Sequence, residues 1–326
     1  MKLKKCCYLL TLAITASVSF VGCVKQPETK QVEQVQKIEP PLNIHHALGT
    51  TVIKQVPHRV AALDMNELDF LDQLNVSVAG FPKDFIPHFL KEYKDRDDIK
   101  DLGSIVQPNM EFIHALNPDL ILMTPIQANN YKELSEIAPT VHYDINFKNS
   151  EQNHLVEVKK HLLDLGRIFK KEDLAQQKVA TLDKHIADIQ ALTKNRPEKA
   201  LIVLHNNGAF SNFGTQSRYG FVFHDFGVKP ASNVVDTSLH GQPISSEFIK
   251  NADPDILYIV DRTAVMEHRP TITAEQVSNP LLRATKAWKT GHVFFVDADA
   301  WYITGASPTS VEIMIEDVKK GYQPKL

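Results

Sequence analysis

The chain has 326 residues, 43% hydrophobic and 23% charged, with 13 Gly and 18 Pro, which excludes disordered, collagen-like and low-complexity classes. Its net charge is −3, and no run of basic residues interleaved with aromatics tracks a phosphate backbone, which argues against a nucleic-acid partner. The length exceeds what one core usually serves, so two domains or lobes are expected.

At the N-terminus, Lys2, Lys4 and Lys5 precede an apolar, small-residue stretch from Cys6 to Phe20, the charged and apolar parts of an export signal over residues 1–22. The apolar run is too short to span a membrane comfortably. It ends in Phe20-Val21-Gly22-Cys23, which resembles the bacterial lipobox, whose Cys is acylated and becomes the first mature residue; an ordinary secretory signal with an incidental Cys23 is the plainer alternative. Residues 1–22 hold three lysines and no acids, so cleavage takes the net charge from −3 to −6. Cys6 and Cys7 leave with the signal, which leaves Cys23 as the lipidation site and no disulfide framework. Residues 23–42, rich in Gln, Glu, Lys and Pro, read as a tether.

From Thr51 onward, β-branched runs such as Arg59 to Leu63 and Leu120 to Met123 alternate with helical stretches, and the pattern returns after Lys199. This predicts an α/β fold with an N-terminal lobe over 43–165 and a C-terminal lobe over 198–326. An internal echo supports the pairing. Glu111-Phe112-Ile113 followed by Pro118-Asp119 is matched in register by Glu247-Phe248-Ile249 followed by Pro254-Asp255, each a short helix, a turn carrying Asp and a buried strand. Between the lobes, residues 151–196 are nearly free of Gly and Pro, and Leu174, Leu182, Ile186, Ile189 and Leu192 fall near helical spacing. Gly166 is expected to divide this region, leaving a connecting segment over 166–197 with a helix from about Glu172 to Leu192. A single long helix joining two Rossmann-like lobes acts as a strut and leaves a ligand cleft between them, without large hinge closure.

These features together resemble the class III substrate-binding proteins of bacterial ABC importers over about Asn43 to Leu326. Within that class the chain is similar to binders of ferric siderophores, of catecholate or mixed-catecholate type, on the strength of Ser217-Arg218-Tyr219-Gly220, His240-Gly241, Ser246-Glu247-Phe248-Ile249, Val260-Asp261-Arg262 and Trp301-Tyr302. The resemblance implies a ferric siderophore as ligand, no permanently bound cofactor, and no reaction. It implies a monomer, lipid-anchored on the periplasmic side of the cell membrane or at the cell surface, that delivers its cargo to an ABC permease dimer.

Ferric iron is a hard cation that takes six mostly oxygen ligands, so a four-donor siderophore leaves two positions open. The resemblance carries His240 and Tyr302 onto those positions, with His224 as second choice. His240 sits in a Ser, Gly and Pro-containing loop, and Tyr302 is expected in a loop after the strand Val293 to Val296. Arg218 and Arg262 are the candidate cations for an anionic chelate, because the planar guanidinium fork meets catecholate oxygens and stacks over rings. Trp301 is expected to form an aromatic wall. In the N-terminal lobe, Thr124 to Asn130 lacks the Arg that relatives often carry there, which favours a mixed siderophore with neutral or apolar portions. Gln127, Asn66 and Lys83 are the polar contacts expected from this lobe. The resemblance carries Glu111 and Glu247 onto a pair of acids that dock onto permease arginines, with helix-start capping and the macrodipole as the plainer alternative.

An enzyme finds little support: there is no Gly-x-Ser-x-Gly elbow, no Walker loop, no His-Glu-x-x-His motif and no free catalytic Cys after cleavage. A binder of free zinc or manganese needs three or more convergent His and carboxylate ligands, which 14 His residues keep open, and haem or a corrinoid is a further alternative in the same architecture.

Overall fold

The computed structural model describes residues 36–234 and 238–323, so the signal segment, Cys23 and most of the predicted tether lie outside the described residues. An antiparallel hairpin opens the fold, β1 (Lys37–His46) and β2 (Gly49–Gln55). The first strand therefore starts inside the segment read as tether. Its sequence looks like a linker because only Ile38 and Ile44 of its ten residues are buried.

Two sheets follow. The N-terminal one has five parallel strands, in spatial order β5 (Lys100–Asp101), β4 (Gly80–Phe81), β3 (Val60–Ala62), β6 (Leu120–Met123) and β7 (Thr140–His142). The central β3 and β6 are wholly buried, as short apolar runs in a sheet covered on both faces should be. The C-terminal sheet is mixed. Parallel strands β8 (Lys199–Asn206), β12 (Ile256–Asp261) and β13 (Val293–Phe295) form one part, with the short β10 (Lys229–Pro230) alongside β8. Antiparallel β9 (Ala209–Phe213) and β11 (Gln242–Ile244) form its other edge. The reversal from β8 into β9 is made by Asn207-Gly208, both at positive φ (48° and 82°), the two-residue turn whose twist suits a hairpin.

The internal echo is structural. Helices Met110–Leu116 and Ser246–Ala252 each have seven residues, each is capped by a side chain (Asn109, Ser245) accepting from the backbone N–H of Phe112 or Phe248, and each ends on a left-handed residue (Asn117, Asp253). The aspartates that follow also act alike. Asp119 accepts from the N–H groups of His58 and Arg59, and Asp255 from that of Lys199, tying each helix end to the start of the lobe's first central strand.

The strut is a 22-residue helix, Glu172–Thr193, about 33 Å long at 1.5 Å per residue. Gly166 does not divide the helical region. It stays inside the preceding helix, His154–Ile168, and the break comes at Lys170, at φ 56°. Gly166 is there for close approach: a Cβ on it would lie 2.6 Å from that of Ala175, so it lets the two helices pack at their crossing. Among the described residues no helix is long and apolar enough to cross a membrane.

A second bridge joins the lobes. The C-terminal helix, Pro308–Lys320, packs on the strut and on the N-terminal helix Met65–Gln73. The segment before it is held by N-terminal side chains: Asn66 Oδ1 accepts from Ala306 N–H at 3.1 Å, Tyr143 OH donates to Ala306 O at 2.9 Å, and Asp69 accepts from the Thr309 N–H and hydroxyl at 2.8 and 2.6 Å. One apolar core runs through both lobes, from Val60 and Leu122 to Tyr258 and Met314. The two lobes are thus tied by a rod, a helix and a shared core.

Candidate functional site

A cavity of about 350 Å³ lies where loops of both lobes meet, and Arg218, His240, Arg262 and Tyr302 line it together. Each comes from the C-terminal lobe at a place the local sequence dictates. Arg262 follows β12 and opens the helix Arg262–Met266, capped by Asp261, which accepts from Ala264 N–H. Arg218 lies in the Thr215 to Tyr219 turn after β9. His240 precedes Gly241, which is at φ 74° and where a Cβ would fall 2.7 Å from Asn212 O, so only glycine lets this turn lie against β9. Tyr302 is not in a loop: it belongs to a π-helical turn, Asp299–Thr304, closed by left-handed Gly305.

Tyr302 is the centre of the cationic end. Arg262 Nε donates to its hydroxyl at 2.6 Å while Arg262 Nη1 donates to Asn206 Oδ1 at 3.1 Å. Both guanidinium carbons sit over its ring, Arg218 at 5.3 Å and Arg262 at 5.4 Å from the centroid. Arg218 is nearly buried and donates to the Tyr302 carbonyl at 3.0 Å, which fixes the turn that presents the phenol. The His240 ring stacks 6.3 Å from that of Tyr302. Burial, and then the two arginines, push the His240 pKa below the ordinary imidazole value. The direction matters: a depressed pKa keeps the ring neutral at and somewhat below neutral pH, and the neutral ring is the form that ligates metal.

The opposite wall is apolar and comes largely from the N-terminal lobe: Phe85, Ile105, Val106, Ile126 and Phe147, continued by Leu239, Met266 and Ile303. Val106 is 74% exposed and Ile126 39%, large apolar side chains left open to the cavity, as expected at a ligand surface. A separate hollow lined by Asp144, Asn146, Asn149 and Glu157 has two carboxylates and no arginine or lysine, so it would repel an anionic chelate.

Several expected contacts lie elsewhere. Trp301 is fully buried beneath the site, donating from Nε1 to Asp317 Oδ2 at 3.0 Å and packed on Tyr219 and Tyr258. Successive residues of a helical turn project in different directions, so the turn that presents Tyr302 to the cavity turns its neighbour Trp301 inward. Asn66 is buried at the junction with Ala306. Gln127 is buried too, because Thr124 uses it as a capping partner and its Nε2 donates to Leu63 O and Ile105 O; it steadies the loop that carries Ile105 and Val106 without reaching the cavity. Lys83 does not line the cavity, its ammonium being held by the Arg96 carbonyl at 2.7 Å. His224 is exposed at the end of the helix Gly220–His224, outside the lining. Glu111 and Glu247 are exposed in the first turns of the two echoed helices.

Sequence reasoning missed the apolar wall and Asp84. The signal for the former was Ile105-Val106 standing between Ser104 and Gln107-Pro108, an apolar pair in a turn where no helix or strand period would bury it.

The chain is similar to known proteins over most of its length. The sequence profile of a family described as periplasmic binding protein matches residues 60–300. The ferric-anguibactin-binding protein FatB of Vibrio anguillarum is 62% identical over 316 residues, covering 96% of this chain and 98% of its own. The petrobactin-binding protein YclQ of Bacillus subtilis is 34% identical over 321 residues, covering 97% of this chain and 98% of its own. Among solved structures, the siderophore binding protein BauB, bound to a complex between two molecules of acinetobactin and ferric iron, matches with a TM-score of 0.85 and 70% identity over 88% of this chain and 100% of that one.

Proposed function

This chain belongs to the periplasmic binding protein family, and we propose that it binds a ferric siderophore of catecholate or mixed-catecholate type outside the inner membrane and passes it to an ABC permease for iron uptake. The carrying observation is the convergence of Arg218, Arg262, His240 and Tyr302 on one cavity whose other wall is apolar. Iron bound by a four-donor chelate has two positions left, and a phenolate oxygen and a neutral imidazole suit them. The Tyr302 oxygen has two lone pairs, so it can accept from Arg262 and still face iron. The arginines balance the negative charge of the chelate, and the apolar wall covers its organic part. The protein performs no reaction on its cargo and holds no cofactor of its own.

No observation favours the alternatives. Among the described residues, the one grouping of three His and carboxylate side chains spaced for a free cation is His88, Asp297 and Asp299, none of which lines the cavity. Nothing in the lining favours haem or a corrinoid over an iron chelate.

Tyr302→Phe tests the coordination. With a ferric bis-catecholate bound, the visible charge-transfer band is expected to shift between wild type and variant, since a phenolate ligand contributes to it. An identical spectrum at saturation would remove Tyr302 from the coordination sphere.

The same reading extends to delivery. Cys23 carries the lipid that anchors a monomeric protein on the periplasmic side of the membrane, or at the cell surface, and Glu111 and Glu247 dock on the permease dimer. Equivalent, exposed positions in two echoed helices support the pairing. Changing both to Ala is expected to lower iron uptake by about tenfold or more while chelate affinity stays unchanged, since lost interfacial charge pairs cost docking and neither acid lines the cavity. Parallel loss of uptake and affinity would assign both acids to the fold.

A further inference from the structure

One carboxylate in the cavity lining has no part in the coordination proposed above. Asp84, in the N-terminal lobe, lines the same cavity as the two arginines. Its Oδ2 receives a single long hydrogen bond, 3.4 Å from Ile105 N–H, and its Oδ1 is buried with no donor among the described residues. Neither Arg218 nor Arg262 pairs with it: Arg218 donates to backbone carbonyls, and Arg262 to Tyr302 and Asn206. The adjacent Lys83 is turned to the Arg96 carbonyl. An under-bonded carboxylate on an apolar wall is costly to keep unless something donates to it. The terminal torsion of Asp is broad, so either oxygen can turn toward an occupant without leaving a rotamer well. The cavity is thus dipolar, with two guanidinium groups on the C-terminal lobe and one carboxylate on the N-terminal lobe.

We propose that Asp84 is a specificity residue that selects, among ferric chelates, those whose organic part bears an N–H donor or a protonated nitrogen on the side away from the chelating oxygens. This rests on the proposed function and narrows it: the cargo is a chelate with an anionic metal-binding end and a basic or donor-bearing arm, and a catecholate with a purely hydrocarbon arm leaves Asp84 unmatched. Charge-assisted hydrogen bonds in a partly dry site are worth about tenfold or more in affinity, which is the selectivity expected here.

The test uses two ferric bis-catecholate chelates identical but for one linker atom, a methylene in one and a protonated secondary amine in the other, titrated calorimetrically against the full mature protein. Wild type is expected to bind the amine chelate about tenfold more tightly, and Asp84→Ala to bring the ratio close to one, with the methylene chelate bound at least as tightly as by wild type because an unmatched carboxylate is gone. That retained binding also reports that the variant is folded, which the single weak backbone contact of Asp84 makes the expected outcome. A wild-type ratio of one, or an amine preference that survives in Asp84→Ala, overturns the assignment. If neither chelate binds wild type, the siderophore reading itself falls and takes this inference with it, a result distinct from two chelates that bind alike.

Discussion

Replacing Arg218 and Arg262 together by Met is expected to weaken binding of a ferric bis-catecholate by about a thousandfold. Among the described residues the two guanidinium groups are the only permanent cations in the cavity lining, and hydrogen bonds to charged groups contribute about 2 kcal/mol each, so losing both removes about 4 kcal/mol, or close to three factors of ten. Because both contact Tyr302, the single replacements need not add up to the double one. Met keeps much of the stem volume, which limits the effect to charge and donors. Arg262→Lys separates those two: it retains a point charge but presents its donors from one atom instead of the planar fork that reaches Tyr302 and Asn206, so it should lose most of what Arg262→Met loses. Salt gives a second readout. Affinity of wild type should fall as ionic strength rises, and that of the double variant should hardly respond. Arg218 also ties down the carbonyl of Tyr302, so unfolding curves accompany the titrations. A loss below tenfold in a folded double variant would mean that anion recognition happens elsewhere.

The C-terminal half of this site was legible through the segments that carry the family resemblance, Ser217-Arg218-Tyr219-Gly220, His240-Gly241, Val260-Asp261-Arg262 and Trp301-Tyr302, because one imidazole among 14 His or one phenol among 8 Tyr does not stand out by itself. Arg262 follows a strand end and His240 precedes a glycine that its turn requires, and both clues are local. The N-terminal half was not legible for the opposite reason. Phe85, Ile105, Val106 and Ile126 are ordinary apolar residues in irregular segments, and only the approach of the other lobe makes a wall of them. Asn66 and Gln127 were misplaced by the same token. Asn66 is taken up by Ala306, 240 residues away, a contact that no window of sequence contains. Gln127 is taken up by its own cap at Thr124, where the Thr-x-x-Gln spacing was the visible sign that it was committed to backbone. At the level of the fold, strands, strut and echo followed from periodicity and punctuation. The antiparallel edge of the second sheet was written in Asn207-Gly208, and the second bridge between the lobes depends on tertiary contacts of the C-terminal helix that periodicity does not report.

Trp301 joins these two levels, and its removal should be the most damaging single change to the fold near the site. Trp301→Ala deletes a fully buried indole packed between Tyr219 and Tyr258 and withdraws a donor from the buried Asp317. Truncations of this kind cost about 4 kcal/mol, and the lost donor adds to that, so denaturant unfolding should show a loss of at least this size. In a domain of this length that corresponds to a fall of about 7 °C in melting temperature. Trp301→Phe discriminates between a core role and a place in the binding wall. It keeps a ring in the core and loses only the Nε1–H donor, while Asp317 retains its bonds from Asp297 N–H and Lys320. Its stability should drop by about 1–2 kcal/mol, with chelate affinity within about twofold of wild type, because the indole lies on the inward side of the turn that presents Tyr302. A wall residue would behave in the reverse manner, with chelate affinity falling by tenfold or more at nearly unchanged stability, and that outcome would place the indole against the ligand after all.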